Sequence, residues 1–384
     1  MDECYIDIFP EIRKIYDDLI DERSKLLFCH RLLFNLTNDF IYIQKIVSDI
    51  PLFKGVKPHP HLEFYIKCKE YVNQEKKLIF YGAASFPQSL YDFSINERYF
   101  NYAIFKELPW YCFCDGDEEK QKVLFLGHKV ISPQQLINDH NNDIVVIGTW
   151  GRNEEIKRYL VGLGFPIENI IFYPEQPADA DIVFLPEEQY FDREFMKPLT
   201  NEVFIDAGAF RCDTVEEFIK WCDGKYEKIY SFEPDEENYK LCNQIIKEKG
   251  INNIELNKIG LSDLNKTVFF TGDGSGGACI VDSSESLVEV VSLDSFLNGK
   301  GATFIKMDIE GSELKALKGA SDTIKRYHPR LALSLYHKAE DIITIPSFIK
   351  SLDENYKFYL RHYSNFGIET VLYAVYLDET NEVE

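Results

Sequence analysis

The chain has 384 residues, with 42 lysines and arginines against 64 aspartates and glutamates, a net charge of −22. That surplus repels phosphate backbones and anionic lipid, so the expected partner is a cationic or neutral ligand, with no nucleic acid and no membrane insertion. A hydrophobic share of 45% with 14% aromatics excludes wholesale disorder, and the length suits two domains or three. The opening residues Met1 to Asp7 have neither the basic start nor the apolar run of a secretory signal, and no apolar stretch approaches the ~20 residues that span a bilayer. A cytoplasmic protein is therefore expected. Nine scattered cysteines, with Cys112 and Cys114 the only close pair and no CxxC, predict neither a zinc nor a disulfide framework. His59 and His61 stand in a His-Pro-His that reads as an exposed loop, because no cysteine or acidic cluster is near; no metal site is expected.

In chain order, residues 1–70 read as helical. Ile8, Ile12, Ile15, Tyr16, Leu19 and Ile20 recur at helical spacing, and a broader apolar stripe runs from Leu26 to Ile46 before Pro51, Pro58 and Pro60. Over 71–176 three apolar strands, near 77–82, 111–115 and 143–148, alternate with helical stretches such as 153–163, the pattern of a parallel Rossmann-type sheet. The loop after the first strand starts at Gly82 but lacks the later glycines of a dinucleotide fingerprint, so this unit reads as degenerate. Asp115 either serves a ribose or is a turn residue. Four prolines between Pro174 and Pro198, with five acids from Glu175 to Glu188, mark 177–200 as a linker.

A second alternation of strands and helices occupies 201–384. Its first strand ends at Asp206, and Gly208 follows in a turn that exposes backbone amides. The second strand ends at Glu233, where a carboxylate can accept hydrogen bonds from both hydroxyls of a ribose. The third leads to Ser262 and Asp263, acceptors for an adenine amine. Acceptors for an amino group, a ribose and a base together describe S-adenosyl-L-methionine better than a nicotinamide dinucleotide. The fourth strand closes on Asp308, followed by Glu310 and Glu313, which are either functional or the acidic first turn of a helix. Asp206, Glu233, Asp263 and Asp308 thus fall on one predicted edge of the sheet. The glycine-rich stretch 271–278 lies between strand-like 267–270 and 288–291, a β-excursion that is either a flap or a plain hairpin.

The chain at this point resembles the FkbM family of class I S-adenosylmethionine-dependent methyltransferases. The matching stretches are Phe-Ile-Asp-Ala-Gly-Ala at 204–209, Ser-Phe-Glu-Pro at 231–234, Gly-Leu-Ser-Asp at 260–263, Val-Ser-Leu-Asp at 291–294 and Lys-Met-Asp-Ile-Glu-Gly-Ser-Glu at 306–313, with Leu-Lys-Gly-Ala at 317–320. The resemblance implies two Rossmann-like doubly wound α/β units behind a helical N-terminal segment, the C-terminal one a class I methyltransferase fold. It implies transfer of a methyl group to a hydroxyl, commonly on a sugar or polyketide, and the acceptor expected here is a sugar, glycan or nucleotide-sugar. Carried onto this sequence, it places Asp206, Gly208 and Ala209 at the methionine part of the cofactor, Glu233 at the ribose, and Ser262 with Asp263 at the adenine. Cys212 stands where the family has glycine, which would crowd the cofactor or alter the helix start.

Removing the acceptor's proton asks for a base, and Asp308 and His337 are the catalytic candidates, with His362 in reserve. Glu310, Arg361 and His362 are read as acceptor-binding residues; Arg361 either orients an anionic acceptor or pairs with an acid. Two other functions stay open: a catalytically silent S-adenosylmethionine-binding module, and an NAD(P)-binding oxidoreductase working through the first Rossmann-like unit.

Overall fold

Pro10 lies in the first turn of helix α1 (Phe9–Asp18), where a missing amide costs nothing. Ile15 and Leu19 of its predicted stripe are buried, whereas Ile8 and Ile20 are exposed. The computed structural model describes residues 8–50, 59–94, 103–174, 182–185, 189–272, 277, 279–281, 283–284 and 286–377. The stripe expected over Leu26 to Ile46 is two helices, α2 (Glu22–Thr37) and α3 (Ile41–Ser48). Asn38 takes a left-handed backbone at φ 53 and ends the first, and the Asp39 carboxylate accepts from the Ile41 amide to start the next. His59 and His61 are buried, not on an exposed loop. His59 caps α4 (Pro60–Asn73) by accepting from the His61 amide at 3.3 Å, because Pro60 makes the position a helix start. Burial, helped by His59, holds the His61 pKa down to about 3, so that ring is neutral.

The described residues fall into two units, one drawn from 1–32, 185–363 and 368–384, the other from 33–184 and 364–367. The expected helical N-terminal segment is therefore shared between them. Parts of the predicted linker, 177–181 and 186–188, lie outside the described residues.

The second unit holds β1 (Leu78–Tyr81), α5 (Ser85–Ser94), α6 (Ile104–Glu107), β2 (Trp110–Cys114), β3 (Val130–Ile131), α7 (Pro133–Asp139), β4 (Ile144–Ile147), α8 (Asn153–Gly162) and β5 (Ile170–Phe172). The sheet order is β3-β2-β1-β4-β5 with every pairing parallel, the Rossmann-type arrangement expected. Its central strands are unbroken apolar runs because both faces are covered. The Asp115 carboxylate is spent locally, accepting from the Ala83 amide at 3.0 Å and from Lys120 at 2.8 Å.

The other unit continues with β6 (Glu202–Ala207), α9 (Asp213–Trp221), β7 (Tyr226–Phe232), α10 (Glu236–Lys249) and β8 (Ile254–Asn257). Next come β9 (Gly260–Leu261), β10 (Lys266–Thr271), β11 (Cys279–Val281), β12 (Ser286–Val291) and α11 (Leu293–Leu297). The chain then forms β13 (Phe304–Met307), α12 (Glu313–Lys318), α13 (Ser321–Tyr327), β14 (Arg330–Ser334), α14 (Asp341–Leu352), β15 (Tyr356–His362) and β16 (Thr370–Tyr376). The main sheet runs β15-β16-β14-β13-β6-β7-β8. β16 is antiparallel to both neighbours and the remaining pairings are parallel. The strand order reverses between β6 and β13, and at such a reversal the carboxyl ends diverge into a crevice. The expected excursion forms its own sheet, β11-β10-β12-β9; residues 273–276 and 278 of its glycine-rich stretch are outside the described residues.

Under this sheet, Phe204 stacks on Phe218 at 4.2 Å between centroids, with Phe191, Trp221 and Phe304 packed around them. At the opposite end from the crevice, the fully buried Glu202 carboxylate takes two hydrogen bonds from Arg330, at 2.5 and 2.7 Å, and one from the Leu199 amide. The Thr303 hydroxyl donates to it as well. Removing the cation leaves that carboxylate buried and uncompensated. Arg330→Met is expected to lower unfolding free energy by about 3 kcal/mol in urea denaturation, and Glu202→Gln by clearly less.

Candidate active site

The carboxyl ends of β6, β7, β13 and β14 carry the polar groups. Asp206 on β6 lies in register with Ser231 on β7 and Lys306 on β13, so all three share one layer of the sheet. Lys306 Nζ sits 3.2 Å from Asp206 Oδ1 and donates to the carbonyls of Ala207 at 3.3 Å and Gly208 at 2.7 Å. Lysine and aspartate are 2% and 0% exposed, so neither is solvated and each depends on the other. Burial pushes the ammonium's pKa down, but the carboxylates of Asp206, Asp308 and Asp213 more than reverse it, and Lys306 stays charged.

The turn after β6 is held in an uncommon shape. Gly208, Phe210 and Cys212 have φ of 82, 46 and 59, all left-handed. Gly208 permits this because a Cβ there would lie 2.0 Å from the Asp308 carbonyl oxygen. Cys212 explains why glycine suits its position. It takes a left-handed backbone at the start of α9, but its side chain is fully buried beside Cys242 and does not enter the crevice. Ala209 is also buried.

Glu233 follows β7 and is 5% exposed. One carboxylate oxygen accepts from the Phe210 amide at 2.8 Å and the other from the Asp235 amide at 2.9 Å. Each oxygen keeps a second lone pair. Burial pushes its pKa up to about 7 against the pull of those two amides. Gly260, at the start of β9, lies close to Pro234 and Val290, and Ser262 follows the strand with its amide donating to the Val291 carbonyl. Ser262 is buried and donates to Asp263 Oδ1 at 3.0 Å, while the Asp263 side chain is 36% exposed and pairs with Lys266.

Asp308 follows β13. The Tyr190 hydroxyl donates to its Oδ2 at 2.9 Å and the Tyr336 hydroxyl to its Oδ1 at 3.3 Å. Burial raises its pKa, but His337 and Lys306 outweigh that and hold it below the usual range. The Tyr336 hydroxyl oxygen is also 3.3 Å from Glu369, so its one proton lies between two carboxyl groups; the other Glu369 oxygen takes a hydrogen bond from Gln189, and burial and the nearby Asp308 push Glu369 up to about 8. His337 stands in the turn beyond β14, three residues past the end of that strand. Its Nε2 lies 3.4 Å from Asp308 and 3.7 Å from Glu310, and its Nδ1 3.0 Å from Glu313. Burial lowers its pKa, and Glu313 and Glu310 reverse that, keeping the imidazole charged above its ordinary range.

Asp206, Gly208, Glu233, Asp308, Glu310 and His337 therefore line the carboxyl ends of adjacent strands. Arg361 and His362 are placed otherwise. Arg361 is 2% exposed, and its guanidinium donates to Asp21 at 2.8 and 3.3 Å and to the Ser24 hydroxyl at 2.9 Å. Its charge is neutralised where β15 meets the loop after α1, leaving none for an anionic acceptor. His362 is equally buried, with Nδ1 2.9 Å from the Thr370 hydroxyl.

Sequence reasoning missed Lys306, Tyr190, Gln189, Tyr336 and Glu369. Lys306 carried a signal: a lysine inside a four-residue apolar strand demands a buried partner. The others come from distant turns and carry none.

Residues 206–358 match the family model described as the methyltransferase FkbM domain. This stretch is similar to FkbM methyltransferase domains. No curated protein matches the chain. A methyltransferase FkbM from Methylobacillus flagellatus KT is 18% identical, with a TM-score of 0.49, over 88% of this chain and 98% of that one. An rRNA methylase from Streptococcus thermophilus is 16% identical over 47% of this chain and 89% of its own, at 0.33. A protein of Streptococcus mutans solved in complex with SAH is 13% identical over 50% and 99%, at 0.31. The matched stretch begins at Asp206 and contains Glu233, Asp308 and His337, whereas Arg361 and His362 fall beyond its end.

Gly208 is the most constrained backbone position of the turn after β6. Gly208→Ala is expected to cost about 1–3 kcal/mol of unfolding free energy in urea, since the Asp308 carbonyl has to move.

Proposed function

We propose that this chain is an S-adenosyl-L-methionine-dependent O-methyltransferase acting on a hydroxyl of a sugar, glycan or nucleotide-sugar. The observation that carries the reading is Glu233. It is a buried carboxylate at the end of the second strand, tied to the Gly208–Cys212 turn through the Phe210 amide, with a free lone pair on each oxygen. Two ribose hydroxyls are the donors such a carboxylate accepts. The Gly208 turn would hold the methionine part and Ser262 with Asp263 the adenine, while the carboxylates of Asp206 and Asp308 favour a cationic sulfonium ligand.

In the reaction an acceptor oxygen attacks the methyl carbon. The carbon–oxygen bond forms as the carbon–sulfur bond breaks, S-adenosylhomocysteine leaves, and the hydroxyl proton passes to a base. Alignment of the two reactants can lower the barrier by up to ~7–11 kcal/mol. Asp308 would take the proton: it closes β13 beside the first turn, and the Tyr190 and Tyr336 hydroxyls fix its orientation. His337 and Glu310, next to Asp308, would contact the acceptor. A group of acids with one histidine suits hydroxyl donors, which supports a polyhydroxylated acceptor.

Calorimetry tests the cofactor assignment. Wild type is expected to bind S-adenosylmethionine, and Glu233→Ala to weaken it at least tenfold; no binding to wild type would end the reading. Because the anionic form of Glu233 accepts the ribose hydroxyls, affinity should be flat above pH 7 and fall by up to tenfold per pH unit below it. Glu233→Gln should remove that dependence. With a panel of sugars and nucleotide-sugars as acceptors, Asp308→Asn is expected to slow methyl transfer by about 10²–10⁴-fold while changing cofactor affinity little. Unaltered turnover would reject Asp308 as the base.

A further inference from the structure

Three separate elements bring ligand-type atoms to one spot. Asp308 follows β13, Glu313 opens α12, and His337 precedes α14, and one donor atom from each lies within 4.8 Å of the other two. Glu310, 3.7 Å from the same imidazole, adds a third carboxylate. The group is built into the fold and is not a patch of surface acids. The Glu313 side chain is fully buried and that of His337 is 8% exposed, whereas Asp308 and Glu310, at 24%, leave an opening to solvent.

The carboxylates are braced from outside the cluster. The Asp308 oxygens take hydrogen bonds from Tyr190 and Tyr336, and Glu313 Oε1 takes one from the Ile309 amide at 2.9 Å. Bracing of this kind sets the direction of a ligand and commonly accompanies metal binding. The second Glu313 oxygen is buried without a hydrogen-bond partner, as is Asp341 Oδ2 on the helix that follows. A buried carboxylate oxygen with no donor is costly, and a cation is the partner it lacks.

We infer that Asp308, Glu313 and His337 form a binding site for an oxygen-preferring divalent cation. Two carboxylates with one imidazole, which gives up its proton to solvent when the ion takes the proton's place among the acids, suit Mn²⁺, which accepts nitrogen more readily than Mg²⁺ does. The site deepens the methyltransferase reading and rests on it for its role: the cation lies at the acceptor end of the crevice, where it holds an acceptor oxygen.

The test uses the full chain stripped with a chelator and then titrated with Mn²⁺ alone, with free Mn²⁺ followed by electron paramagnetic resonance. One Mn²⁺ per chain is expected, with affinity falling at least tenfold in Glu313→Gln and in His337→Gln. Glu313 is deeply buried, so circular dichroism and the urea midpoint establish that each variant is folded, and the more accessible His337 gives the second reading should Glu313→Gln not fold. An undiminished free Mn²⁺ signal with wild type overturns the site, and so does equal Mn²⁺ retention by a folded variant. S-adenosylmethionine titrated into the metal-free chain separates the two ideas. Cofactor binding without Mn²⁺ binding removes the metal site alone. Mn²⁺ binding without cofactor binding removes the methyltransferase reading and leaves the cation site standing.

Discussion

A single buried ammonium organises the crevice at the carboxyl ends of β6, β7 and β13. Lys306 Nζ reaches across from β13 to Asp206 on β6 and to the carbonyls of Ala207 and Gly208 just beyond it. The Ala207 carbonyl also accepts from the Asp308 amide at 3.1 Å, so the lysine adds a second donor there, holds the Gly208 carbonyl at 2.7 Å and fixes the turn. The turn in turn presents the Phe210 amide to Glu233 and closes over the Asp308 carbonyl at Gly208. Three strand ends are thereby tied to one charge. Such a pair is weak evidence for added stability, since desolvating both ions offsets much of their attraction. What it confers here is a defined position for the groups around it.

The same constraint arranges the acids. Of the −22 net charge, a small part is gathered at this edge, and its members are kept in different states by their surroundings. Burial raises Glu233 to about 7 and Glu369 to about 8, while His337 and Lys306 hold Asp308 ionised. Tyrosines 190 and 336, pushed well above the ordinary range by burial and by Asp308, remain neutral donors. Carboxylates with unlike environments can take unlike roles, and this is the physical basis for assigning a ribose contact to one and proton transfer to another. The Rossmann-type sheet of the other unit has the strand reversal that binds nucleotides elsewhere, yet Asp115, its one strand-end acid of interest, is already paired with Lys120.

Much of the strand pattern was legible because a parallel sheet covered on both faces writes itself as short apolar runs. The strands ending near Asp206, Glu233 and Asp308 were readable in this way. Reading failed where a polar side chain or a backbone twist overrode the apolar stripe. Asn38 split one expected helix into two, and Pro60 made His59 and His61 part of a buried helix start. Arg361 looked available for an acceptor because its partner, Asp21, lies 340 positions away in the chain.

The sequence by itself determined which residues end strands, and therefore which acids could face a ligand, because strand ends follow from local apolar runs and the glycines after them. Tertiary structure alone decided which of those groups meet. Asp206 finds Lys306 only through the parallel register of β6 with β13, a pairing that no local pattern specifies. Asp308, Glu313 and His337 converge because a turn after β13 and a turn after β14 leave the same edge of the sheet, with Tyr190 arriving from a segment more than a hundred residues earlier. Strand ends are a one-dimensional property; a site is set by register, and register is decided by the packing of the whole unit.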